Sequence, residues 1–259
     1  MADRPESTRR SVLRTAGLAV GAVGLAGCSS LLDSPTATPH GTVSSEPSSD
    51  SSPTSTDAGK SSRATSGEAS VASLGVARTD ADYAVLGQQD AIETATLYGG
   101  WKCPYTQEIV NQMLPAVVER YVTPGDLAIE FRAVRFQADE SWGDDEARSN
   151  RAGQAVWHEA PEQFPEYVAT LYANQPSEQT EWATVDTLVS FAEEAGVEDT
   201  DAVRESITTG EYSELWQATQ DLVREKGIRG IPRLELGGEI TAPTIDPEST
   251  ERQLTQTLE

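Results

Sequence analysis

Residues 99–110 read GGWKCPYTQEIV, and Cys103 is the residue among them best suited to do chemistry. A thiol acts as a nucleophile in its thiolate form, so a reactive cysteine needs surroundings that favour negative charge. Pro104 suits the first position of a helix, where its missing N–H would have had no partner. Beyond it Ile109, Val110, Met113, Leu114, Val117, Val118 and Tyr121 recur at helical spacing. Cys103 is therefore expected at or just before a first helical turn, where unpaired backbone N–H groups and the helix dipole favour an anion. Lys102, one of three lysines with Lys60 and Lys226, adds a cation beside it. The plain alternative is a buried, inert thiol.

The chain has two cysteines, Cys28 and Cys103, and the position three after Cys103 holds Thr106. Such a site cannot keep a disulfide within itself. A lone activated thiol can attack a disulfide and form a mixed disulfide, which a second thiol from outside resolves. It can also pass through sulfenic acid on reaction with peroxide. Thr106 offers a hydroxyl that could donate to the Cys103 sulfur from the first helical turn. His40 and His158 are the two histidines, so a zinc site or a Cys–His pair has little support. No Gly-rich phosphate loop is present, and neither a metal nor a cofactor is expected. Trp142, Trp157, Trp182 and Trp216 read as packing residues.

The elements that must hold this thiol follow from periodicity. Tyr83 to Leu86 and Ala95 to Tyr98 read as strands, and Leu127 to Phe136 alternates like a third. The helix after Pro104 should be kinked at Pro115 and ended by Thr123-Pro124-Gly125. Helical stretches follow at Glu146 to Trp157, Phe164 to Tyr172, Trp182 to Ala195, and Asp201 to about Lys226; the first three form a block inserted between strands. Gly230-Ile231-Pro232 then leads into a strand at Arg233 to Leu236, a Gly-Gly turn and a further strand. Asp246 and Pro247 start a last helix, with Leu254 and Leu258 facing inward.

This order of elements, with Trp101-Lys102-Cys103-Pro104-Tyr105 after a strand and Gly230-Ile231-Pro232 before another, resembles the DsbA-like thiol-disulfide oxidoreductases. The resemblance covers about residues 82–259 and implies an α/β, thioredoxin-like fold with an inserted helical block. It implies that Cys103 is catalytic with Thr106 beside it, and that the Ile231–Pro232 bond is cis and lies against the cysteine. It further implies that Trp101, Pro104, Tyr105, Ile231 and Pro232 form the substrate surface, Ile231 pairing with an extended peptide as an added strand. In two-cysteine members a second thiol stands where Thr106 stands here. Monothiol or isomerase-like exchange with protein or small-molecule thiols and disulfides is the activity expected. A redox-inactive module that holds peptides is the alternative. A thiol peroxidase fits less well, since its threonine usually precedes the cysteine.

The first 27 residues set the location. Arg9 and Arg10 precede an apolar run, Ala16 to Gly27, too short to span a bilayer but suited to an export signal. The pair resembles a Tat signal, and Leu25-Ala26-Gly27-Cys28 resembles a lipobox whose cysteine carries a lipid. The expected organisation is a signal at 1–27, a lipid-anchored Ser/Thr/Pro-rich disordered stalk at 28–80, and a thioredoxin-like domain at 81–259 with its helical insertion at about 140–200. A stalk of this length has a mean reach on the order of 40 Å, which would place the domain off the extracytoplasmic face of the membrane. Acidic residues outnumber basic ones by 42 to 19 and the formal charge is −23. Nucleic acid is therefore not an expected partner, and the composition resembles that of proteins from extreme halophiles.

Overall fold

Residues 69–135 and 144–259 are described by the structure, a computed structural model. The expectations for residues 1–68, including Arg9, Arg10, Cys28 and most of the stalk, and for Phe136 and Trp142, lie outside the described residues. Six strands, Val76–Arg78 (β1), Ala84–Leu86 (β2), Glu93–Gly99 (β3), Leu127–Ala133 (β4), Arg233–Leu236 (β5) and Glu239–Thr241 (β6), form one sheet in the order β1-β2-β4-β3-β5-β6. β3 and β4 run parallel, from Glu93 opposite Leu127 to Gly99 opposite Ala133. The other neighbours are antiparallel.

A parallel pair needs a crossover, and the helix after Cys103 supplies it. This helix consists of Pro104–Glu108 (α1), a π-turn at Ile109–Met113, Leu114–Val117 (α2) and a second π-turn at Val118–Val122. Pro115 has no N–H to donate, and its ring crowds the preceding turn. The helix responds by widening just ahead of it, where Leu114 N–H reaches back five residues to Ile109 O. The disruption expected at Pro115 is thus a π-turn within a helix that runs on. Val110, Leu114 and Val118 from this helix pack with Leu97, Ile129 and Phe131 of the central strands.

Helices Asp145–Glu159 (α3), Phe164–Asn174 (α4), Val185–Glu194 (α5), Thr200–Thr209 (α6) and Ser213–Glu225 (α7) lie between β4 and β5, and Pro247–Leu258 (α8) closes the chain. Asp246 caps α8 by accepting from Ser249 N–H at 3.0 Å. Leu254 is buried on its inner side and Leu258 partly so.

Four boundaries differ from those expected. The packed fold begins before residue 81: Val71 and Leu74 join the core, and β1 pairs with β2. β4 stops at Ala133. The helix expected from Asp201 to Lys226 is two, because Gly210 adopts a left-handed conformation, φ +70°, that ends α6. α6 packs against α3 and α5, so the helical block extends past residue 200.

Candidate active site

β3 delivers the chain to Gly100, and α1 begins at Pro104, so four residues make the turn that holds the thiol. Cys103 is the N-cap, with extended backbone angles (φ −80°, ψ 120°), and Pro104 follows in the first turn. The Cys103 carbonyl accepts from Thr106 N–H and Gln107 N–H, both at 3.1 Å, which fixes the cysteine at the helix start. Its thiol is free and its surface 5% exposed.

Gly100 is the hub of this turn. Its carbonyl accepts the Cys103 N–H at 3.1 Å and the Tyr172 hydroxyl at 3.1 Å, and its own N–H donates to Thr106 Oγ1 at 3.1 Å. A side chain here would force its neighbours to shift: a Cβ would lie 2.7 Å from Ile231 Cδ1 and 3.3 Å from Cys103 Cβ. The same contact shows that the second loop is brought to the first. Ile231 is half-buried, Pro232 is buried and the bond between them is cis, in the place that the sequence motif requires.

Two expectations about the turn are corrected. Trp101 is not a surface residue: it is 4% exposed, stacks on Tyr172 at 5.8 Å and meets Phe131, Phe164 and Tyr167 at 4.8 to 6.2 Å. Its indole occupies the space that Gly153 of α3 leaves by lacking a Cβ. A large apolar ring beside a buried sheet end gains more from the core than from solvent. Thr106, 0% exposed, receives the Gly100 N–H in place of the expected bond to the Cys103 sulfur. It is a strut of the turn. Tyr105, in contrast, is 58% exposed beside Cys103, and Pro104 is half-buried.

The cation beside Cys103 is also placed differently. Lys102 is 1% exposed, and its ammonium donates to Asp145 Oδ2 at 2.8 Å. The same oxygen accepts the N–H groups of Trp182 and Ala183, while Oδ1 takes Arg148 at 2.6 Å. Burial pushes the Asp145 carboxyl up, but these donors together outweigh it and hold it below the usual carboxylate range. The residue before the nucleophile is thereby tied to the start of α3 and to the segment leading into α5.

A family model described as "Thioredoxin" matches residues 79–256. The chain belongs to the thioredoxin family. Disulfide bond formation protein D of Bacillus subtilis is 22% identical over 174 residues, which cover 67% of this chain and 76% of that protein. Among solved structures, oxidised BdbD from Bacillus subtilis aligns with a TM-score of 0.63 and 21% identity, over 71% of this chain and 97% of the other. DsbA of Chlamydia trachomatis aligns with a TM-score of 0.57 and 17% identity, over 70% and 94%. The fold is thus the α/β thioredoxin-like fold with inserted helices that the motifs implied.

Within this thioredoxin domain, sequence reasoning missed Gly100, Tyr172 and Asp145. Tyr172 ties α4 to the site twice, through its hydroxyl to Gly100 and through its carbonyl, which accepts Gln107 Nε2 at 2.8 Å and Asn111 Nδ2 at 3.2 Å. Burial, with Cys103 and Tyr167 nearby, pushes its phenol well above the ordinary value, so it remains a donor. Asp145 falls 43 residues from Lys102, and nothing in a local pattern could have paired them. His158 stacks on Tyr212 at 4.2 Å, with no part in the site. Among the described residues no group of three or more His, Cys, Asp or Glu is placed to hold a metal ion, and no helix is long and apolar enough to cross a membrane.

Proposed function

We propose that this protein exchanges thiols and disulfides on extracytoplasmic proteins through Cys103 as a single active-site cysteine. One observation carries the reading: Cys103 caps a helix at the end of a central strand, beside the cis Ile231–Pro232 loop, with Thr106 where a second thiol would stand. The Bacillus subtilis relative is a disulfide bond formation protein, which points the same way.

In the proposed cycle, Cys103 thiolate attacks one sulfur of a substrate disulfide. A bond forms between Cys103 Sγ and that sulfur, the substrate S–S bond breaks, and the other sulfur leaves as a thiolate that takes a proton from water. A second thiolate, from the substrate or a small molecule, then attacks the mixed disulfide and releases Cys103. The sum is an exchange without net oxidation, which suits isomerisation. Tyr105, Pro104, Ile231 and Pro232 line the approach, and a substrate backbone would pair with Ile231 as an added strand. Export through the Arg9-Arg10 signal and a lipid on Cys28 complete the proposal, holding the domain at the extracytoplasmic face.

The test uses the full chain carrying Cys28→Ser, which leaves Cys103 as its one thiol. Incubation with a disulfide-bonded model protein should give a one-to-one mixed disulfide on a non-reducing gel, released by reductant and absent with Cys103→Ser. If none forms, the exchange reading is lost. The burial of Cys103, 5% exposed, would then favour the second reading, a thioredoxin scaffold that holds peptides at the Ile231–Pro232 loop.

A further inference from the structure

Residues 224–233 read REKGIRGIPR, with Arg224, Lys226, Arg229 and Arg233 against Glu225 alone, in a chain whose net charge is −23. Of the eleven arginines among the described residues, seven are ion-paired with a carboxylate. Arg224 has Asp221 at 2.7 Å, and Lys226 has Glu235 at 2.7 Å. Arg229 and Arg233 have none within ion-pair distance among the described residues. Arg229 is exposed; Arg233 is half-buried, and its guanidinium donates to the Pro232 carbonyl at 2.8 Å.

The register explains why no acid of the sheet reaches Arg233. Arg132, Tyr98 and Arg233 stand in one row across β4, β3 and β5, and Glu130, Thr96 and Glu235 in the row two residues along, on the same face. Glu130 is taken by Arg132 at 2.6 Å, and Glu235 by Lys226 and by the Tyr98 hydroxyl at 2.8 Å. Both acids are thus occupied. Arg229 and Arg233 bracket Ile231–Pro232, two residues before Ile231 and one after Pro232, and Ile231 is the residue that closes on Gly100 beside Cys103.

We infer that the disulfide brought to Cys103 carries carboxylates close to its sulfurs, and that Arg229 and Arg233 receive them. This rests on the reading of Cys103 as an exchanging thiol. A guanidinium offers forked donors that match a carboxylate, and charges at the rim of a binding surface govern encounter and selection among partners. An acidic peptide segment and a small carboxylated disulfide share this chemistry.

The test compares rates of mixed-disulfide formation in the full chain carrying Cys28→Ser, with and without Arg229→Gln and Arg233→Gln together. The probes are 3,3′-dithiodipropionate, which is anionic, bis(2-hydroxyethyl) disulfide, which is neutral, and two peptide disulfides whose cysteines are flanked by Asp or by Ser. Taking each probe's ratio of parent to variant cancels its intrinsic reactivity. The double variant should slow at least one of the two anionic probes about fivefold more than its neutral counterpart, while Arg204→Gln, on α6, changes neither ratio. Slowing confined to the Asp-flanked peptide identifies a protein source, and slowing confined to the small dicarboxylate a small-molecule one. Equal slowing of charged and neutral probes would assign the arginines to the Cys103 thiolate and overturn the inference, as would no slowing. If no probe forms a mixed disulfide with the parent, the exchange reading itself falls and takes this inference with it.

Discussion

The hydroxyl of Tyr172 and the N–H of Cys103 meet at one oxygen, the carbonyl of Gly100, each at 3.1 Å. The nucleophile's backbone is therefore positioned in part by a side chain of the helical insertion. Tyr172→Phe keeps the ring that stacks on Trp101 and removes only this donor. The expected cost is about 1 kcal/mol in unfolding free energy, read from urea denaturation. A slower capture of a model disulfide by Cys103 should accompany it, since a purely structural role would leave that rate unchanged in the folded protein.

Thr106→Cys places a sulfur three residues after Cys103. The mixed disulfide that accumulates on the parent should then be cleared from within, because the new thiol attacks Cys103 Sγ and expels the substrate. The check is a time course on a non-reducing gel, with intact mass showing the loss of two hydrogens. Thr106→Val should not restore clearance, and it leaves the buried Gly100 N–H without its acceptor, a cost of about 1–3 kcal/mol.

Gly153→Ala puts a methyl 2.7 Å from Trp101 Cε2 and closer still to Cζ2. The helix backbone cannot yield as a flexible side chain would, so the indole must move. Overpacking of this kind costs about 1–3 kcal/mol, set against a gain of up to about 1 kcal/mol in helix propensity. Net destabilisation is expected, with an altered near-ultraviolet circular dichroism signal from the aromatic cluster.

Asp145 gives the site a dependence on acid. Its carboxyl titrates lower in the folded chain than in the unfolded one, so its contribution is complete above the unfolded value of about 3.9. That contribution is lost as pH falls through the folded value. Urea midpoints followed downward from about pH 6 should fall more steeply below about pH 4 for the parent than for Asp145→Asn. At neutral pH Asp145→Asn should destabilise the fold by more than about 1 kcal/mol, because it weakens charge-assisted bonds from both Lys102 and Arg148.

What was legible in the sequence were patterns whose cause is local. Cys103 ahead of Pro104 announces a helix start, and the alternation in Arg233 to Leu236 shows in its burial. Asp246 before Pro247 caps its helix as read. What was illegible depends on distant partners. Val76 to Arg78 is too short to declare itself and becomes a strand only through pairing with Val85 and Leu86. The helical stretch read from Asp201 to about Lys226 is divided because Gly210 is left-handed, which separates α6 from α7. Trp101 sits in a motif that suggests exposure, and its burial is decided by aromatic residues of α4 and by the absence of a side chain at Gly153.

The burial of Lys102 also constrains how partners of this protein can be captured. The chain has three lysines, and the two among the described residues differ sharply: Lys102 is 1% exposed, and Lys226 is a third exposed and engaged by Glu235. Amine-directed cross-linkers and biotin esters therefore have Lys226 as their handle on the described residues, and acylation of Lys102 would report opening of the fold. Carboxylate-directed coupling, or photoactivatable groups placed beside Tyr105, would sample the face that a substrate meets.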